Sequence, residues 1–94
     1  MELEKEKLNS EKLYRIGYSL KLNKYILAIT IPYHIWYERY YEITLEEYNT
    51  FGSKELDMLK EQLIVQGTKS ERFVFSEFDS ENTRKQRAIK NKAR

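Results

Sequence analysis

The sequence predicts an α+β domain: a small antiparallel sheet in the chain order β-β-β-α-α-β, with helices packed on one face and charged, flexible termini. Three observations predict it. Residues 14–43 are dense in strand formers and open with strict alternation. Residues 44–66 carry two helix-start signals and an apolar stripe at helical spacing. Charge concentrates at the two ends, which divides the 94 residues into a charged lead-in (1–12), one folded domain (13–80) and a basic C-terminal tail (81–94).

The lead-in has only Met1, Leu3 and Leu8 as apolar residues and reads as mobile or as a short peripheral helix. In residues 14–22 the even positions are Tyr14, Ile16, Tyr18, Leu20 and Leu22, and the odd positions are Arg15, Gly17, Ser19 and Lys21. That alternation buries one face of a strand. Residues 25–33 are apolar on both faces, since Ile26 and Ala28 oppose Tyr25, Leu27 and Ile29, so they predict a central strand. Pro32, which has no N–H to donate, marks its end or a bulge. Asn23 and Lys24 between the two runs predict a two-residue turn. That loop length pairs Leu22 with Tyr25, Leu20 with Leu27, Tyr18 with Ile29, Ile16 with Ile31 and Tyr14 with Tyr33.

A third strand is predicted over 37–43, with Ile35 or Arg39 as competing starts. Thr44 and Glu47 then have the spacing of a capping box, and Leu45, Tyr48 and Phe51 share a face. Gly52 interrupts, and Ser53 can cap a segment whose stripe is Leu56, Leu59 and Leu63, widened by Met58, Ile64 and Val65. Residues 45–66 are therefore two helices or one kinked helix, closed by Gly67 as a left-handed (αL) C-terminal cap. Arg72 to Phe78 reads as a last strand with Phe73 and Phe75 on one face.

The formal net charge of +2 conceals an asymmetry. Residues 82–94 hold Arg84, Lys85, Arg87, Lys90, Lys92 and Arg94 and no acid, which leaves the rest of the chain at −4. The tail has only Ala88, Ile89 and Ala93 as apolar residues. It reads as a solvated, frayed end or weak helix, or as an electrostatic arm for nucleic acid.

Catalytic and metal-binding patterns are missing. The chain has no cysteine and one histidine, His34, which excludes disulfides, thiolate metal sites and a cysteine nucleophile. No His, Asp and Glu set has metal-ligand spacing, and Gly17, Gly52 and Gly67 stand too far apart for a phosphate loop. Ser70 and Ser76 lie far from His34 in sequence. The expectation is a non-enzymatic protein with no cofactor. The apolar runs fall well short of the roughly 18 residues of a membrane span, and residues 1–12 are too charged for a secretory signal. The expected location is cytoplasmic.

The densest anomaly is Tyr33 to Tyr41, which holds five of the thirteen aromatic residues with Glu38, Arg39 and Glu42 interleaved. A strand sends neighbouring residues to opposite faces, so these rings cannot all enter one core. Core and sheet packing is one reading. A protein-binding surface of Trp36, Tyr37, Glu38, Tyr40 and Glu42 is the second, because Tyr and Trp dominate binding hot spots. A base-stacking platform for RNA is the third, opposed by the acids.

Two stretches resemble segments of small bacterial immunity proteins that accompany polymorphic toxins and contact-dependent inhibition systems. One is Tyr40-Tyr41-Glu42-Ile43-Thr44-Leu45-Glu46-Glu47-Tyr48, a strand entering a capped helix. The other is Gly67-Thr68-Lys69-Ser70-Glu71-Arg72-Phe73-Val74-Phe75-Ser76-Glu77, at a helix exit. The resemblance implies a cytoplasmic antitoxin that binds one cognate toxin domain, often a nuclease, and occludes its active site or an essential surface. Such families share no single fold, so no binding position is carried over. The alternatives are a nucleic-acid-binding accessory protein acting through Arg84, Lys85, Arg87, Lys90, Lys92 and Arg94, or a phage-type inhibitor of a host defence nuclease.

Overall fold

The computed structural model describes residues 1–94. Five strands form one antiparallel sheet in the spatial order of the chain: β1 (Glu4–Asn9), β2 (Tyr14–Ser19), β3 (Lys24–Ile31), β4 (Tyr37–Ile43) and β5 (Phe73–Ser76). Helices α1 (Leu45–Tyr48) and α2 (Lys54–Gln66) connect β4 to β5, and α3 (Arg84–Ala93) follows β5. Short 3-10 turns occupy Gly67–Lys69 and Asp79–Glu81. The α+β class and the antiparallel sheet are as the sequence predicts. No helix is long and apolar enough to cross a membrane.

The helices do not share a face. Tyr14, Ile16, Leu27, Ile29, Tyr41 and Ile43 meet Tyr48, Leu56 and Leu63 on one side of the sheet. Leu3, Ile26, Ala28, Tyr40, Val74 and Phe75 meet Ala93 and Ile89 on the other. The reason lies in β3, whose Ile26 and Ala28 are fully buried, as are Leu27 and Ile29. A strand apolar on both faces needs a cover on each, and the tail supplies the second one.

Both termini are therefore folded, against the expectation of flexible ends. Residues 4–9 form the edge strand β1, paired with β2 and kinked between Glu4 and Lys7. Gly17 permits the approach: a Cβ there would stand 2.7 Å from the Leu3 Cβ and 2.9 Å from the Glu4 carbonyl oxygen. The charges of β1 suit an edge, where they discourage pairing with another chain. In the tail, Thr83 and Gln86 form a capping box. The Gln86 amide donates to Thr83 Oγ1 at 3.2 Å, and the Thr83 amide donates to Gln86 Oε1 at 2.8 Å. Gln86, Ile89, Lys90 and Ala93 then face the sheet at helical spacing.

The hairpin of β2 and β3 forms in a different register. Tyr14 faces Ile29, Ile16 faces Leu27 and Tyr18 faces Tyr25. The loop is four residues, Leu20 to Asn23, closed by the Asn23 amide donating to the Ser19 carbonyl at 2.8 Å, with Asn23 at φ 58°. Ser19 Oγ also accepts from the Leu22 amide at 3.1 Å, which draws Leu20 and Leu22 out of the strand. Each β2 residue moves four positions along β3. An even shift leaves every side chain on its expected face.

The predicted N-terminal caps form, whereas Gly67 ends α2 at φ 60° and ψ −135°, with positive φ but outside the expected left-handed helical conformation. Thr44 and Glu47 make both bonds of their box, and Arg72 adds a fork onto Glu47 at 2.7 and 2.9 Å. Gly52, at φ 89°, ends the first helical segment and Ser53 caps the second, so residues 45–66 are two helices. The last strand differs from expectation: Phe73 and Phe75 enter opposite cores. A register shift against Tyr40 and Tyr41 places Val74 and Phe75 consecutively on the α3 side.

Candidate functional site

Pro32 ends β3, and residues 32–36 leave the sheet as the loop into β4. The loop projects Tyr33 (63% exposed), Ile35 (79%) and Trp36 (62%) into solvent, with His34 edge-on to Tyr33 at 4.5 Å between ring centroids. Antiparallel pairing of β4 with β5 brings Phe78 to the same end of the sheet, 46% exposed and 5.3 Å from the Tyr37 ring. Four large apolar side chains thus share one end of the sheet, where scattered single exposures are the ordinary pattern.

This tip stands on a braced base. Arg39 donates through Nε and Nη2 to the two carboxylate oxygens of Glu81. Glu81 also accepts from the Tyr37 hydroxyl at 3.2 Å and from Ser76 Oγ at 2.8 Å. Burial acts to raise the Glu81 pKa, but the bonds from Arg39 and Ser76 outweigh it and hold the carboxyl below its ordinary value. Burial also raises the Tyr37 phenol. On the α3 face, Arg15 forks onto Glu38 with two bonds of 2.8 Å and reaches Glu6 at 2.8 Å. Burial alone would raise Glu38, but Arg15 and the Tyr40 hydroxyl, 3.0 Å away, keep it lowered. Both ion pairs tie β4 to other elements and hold the start of that strand rigid.

The five residues singled out in the sequence do not form one surface. Trp36 is exposed in the loop, and Tyr37 is half-buried with its hydroxyl on Glu81. Glu38, Tyr40 and Glu42 point to the opposite face from Tyr37, as strand alternation requires. Tyr40 is fully buried with its ring 4.7 Å from Phe75, so it belongs to the core and leaves the contact set. Glu38 is engaged by Arg15. Glu42 is exposed, but at the far end of β4 and paired with Lys24 at 2.9 Å. The residues that complete the tip are Tyr33, Ile35 and Phe78. Pro32 was the available signal for the first two, and Phe78 becomes visible only through the β4–β5 register.

The tail cations also separate. Lys90 is buried, donating to the Glu77 carbonyl at 3.1 Å and to Asp79 at 3.3 Å, and Arg87 reaches Asp79 at 3.3 Å. Arg84, Lys85, Lys92 and Arg94 are exposed.

The tip offers apolar area, an indole N–H and phenol hydroxyls, which is recognition chemistry. No three His, Cys, Asp or Glu side chains are grouped so as to hold a metal ion. In comparisons with known proteins, the chain matches no family model, no curated protein and no solved structure.

Proposed function

We propose that this is a non-enzymatic binding protein, an immunity protein that neutralises a cognate toxin domain by docking on it through the tip of Tyr33, Ile35, Trp36 and Phe78. The observation that carries the reading is the joint exposure of these four side chains on a base locked by Arg39 and Glu81. Tyr and Trp offer large contact area at low rotamer entropy, which is the profile of a hot spot. The resemblance of residues 40–48 and 67–77 to immunity-protein segments supplies the class of partner.

The test is co-expression with a toxin domain, should the neighbouring reading frame encode one. The protein should restore growth, and Trp36→Ala should weaken binding by about 2 kcal/mol or more, the hot-spot scale. Rescue and affinity that are unchanged in folded Trp36→Ala and Phe78→Ala variants would remove the tip from the interface.

A further inference from the structure

Helix α3 has a second face with a pattern of its own. Gln86, Ile89, Lys90 and Ala93 turn inward. At 100° per residue, Arg84, Ala88 and Asn91 form the outward crest, Lys85 and Lys92 one flank and Arg87 the other, with Arg94 following the last turn as the C-cap. Lys85 and Lys92 are seven residues apart, about 10 Å along the axis. The crest is low, because Ala88 and Asn91 are small. The helix carries no acid, and its first turn holds Arg84 and Lys85, where α1 and α2 place Glu46, Glu47, Glu55 and Asp57. Cations at a helix N-terminus oppose the macrodipole, so this arrangement does not serve the stability of the helix.

Two of the nearby acids are matched by cations, while Glu2 and Glu4, which line a cavity with Arg94, make no ion pair. Glu42 is paired with Lys24, and Asp79 with Lys90 and Arg87. The Arg87 pair is half-exposed on both sides, and such surface pairs are weak enough to exchange for another anion. Glu71, in the groove beside Lys85 and Lys92, has no ion pair.

We propose that the outer face of α3 docks in the major groove of duplex DNA. Lys85 and Lys92 would meet one phosphate backbone, Arg87 and, beyond the last turn, Arg94 the other, and Asn91 the base edges between them. A helix with its side chains is about 10–12 Å across, and the B-form major groove is about 12 Å wide. The deep, narrow major groove of A-form RNA does not admit it. Phosphates repeat at every nucleotide, so cations on both sides of the crest meet charge on both walls of the groove, whereas a folded acidic protein would need acids placed to match each of them. This surface is separate from the aromatic tip and does not depend on the toxin reading.

The test is fluorescence anisotropy of the full chain with a mixed-sequence DNA duplex of about 20 base pairs, the same duplex in RNA, and polyglutamate as competitor. Four phosphate contacts predict a log–log salt slope of about −3.6, which weakens binding on the order of a hundredfold between 50 and 200 mM salt. Lys85→Glu with Lys92→Glu should weaken binding at least tenfold with unchanged circular dichroism, and Glu71→Gln should tighten it. Trp36→Ala should bind like the unaltered protein. Should the first pair fail to fold, Arg87→Glu with Arg94→Glu reads the other side. No DNA binding at 50 mM salt, binding that survives the charge reversals, or equal affinity for duplex RNA or polyglutamate would overturn the proposal.

Discussion

Asn82 and Ser76 exchange two hydrogen bonds as if they stood on neighbouring strands: the Ser76 amide donates to Asn82 Oδ1 at 2.7 Å, and Asn82 Nδ2 donates to the Ser76 carbonyl at 2.8 Å. Both residues are buried. The side-chain amide thus stands in for the missing next strand beside β5, and Asn82 Nδ2 also reaches Asp79 at 3.0 Å. Backbone groups buried without partners are costly, so one side chain here closes the edge and aims the chain into α3. Asn82→Ala leaves the Ser76 amide and carbonyl unpaired and should reduce unfolding stability by about 2 kcal/mol in urea denaturation. An unchanged midpoint would mean that water replaces the amide at no loss.

The opposite edge depends on the absence of a side chain. A Cβ at position 17 would stand 2.7 Å from the Leu3 Cβ, and neither that atom nor the Glu4 carbonyl is the free end of a flexible chain. Gly17→Ala must therefore displace β1. The expected loss is about 1–3 kcal/mol, the scale of overpacking a fitted site. Hydrogen exchange should show it concentrated in the β1 amides. Exchange that rises evenly across the sheet would contradict this account of the edge.

Three carboxylates make the fold sensitive to acid. Burial acts to raise Glu38, Glu47 and Glu81, but hydrogen bonds from Arg15 and Tyr40, from Arg72 and Thr44, and from Arg39 and Ser76 leave all three below the ordinary 4.5. The folded state thus binds these protons less readily than the unfolded chain. Their contribution is fully present above pH of about 4.5 and is lost as pH falls through the lowered folded values. The urea midpoint should hold steady from neutral pH down to about 5 and fall below that. Arg39→Gln combined with Glu81→Gln should flatten part of the fall. Tyr14 shows the reverse sign at high pH. Burial and its bond to Asp57 push the phenol up to about 12, so its contribution declines as pH rises from 10 towards that value. An ultraviolet titration should show Tyr14 resisting ionisation until the protein unfolds.

What was legible in the sequence follows the range of each interaction. The alternation from Tyr14 to Tyr18, the Thr44–Glu47 box and the Ser53 cap are local, and each stands where its pattern placed it; the helix also stops at Gly67, though not in the expected left-handed helical conformation. Register is not local. A period of two settles which face Tyr14 and Ile16 occupy, whereas the four-residue closure by Ser19 and Asn23 decides their partners. The same limit separated Phe73 from Phe75, since one extra residue on β5 reverses the face. α3 was hidden by its charge: its inward stripe has only Ile89 and Ala93 as apolar members, with the Lys90 stem beside them. The Thr83–Gln86 box was its readable sign. At the candidate site, density of aromatics singled out residues 33–41, but alternation along β4 buries Tyr40, and Trp36 lies in the loop that precedes the strand.

Trp36 is the chain's one tryptophan and is exposed at the tip, so its fluorescence reports on that surface alone. The decisive measurement is its emission and its quenching by acrylamide as the proposed partner, a toxin domain, is titrated in, using a tryptophan-free form of that domain. Docking through the tip removes the indole from water, so emission should shift to the blue and quenching should fall in step with complex formation. A complex that forms while Trp36 keeps the emission and quenching of a solvated indole would contradict the claim that this tip is the binding surface.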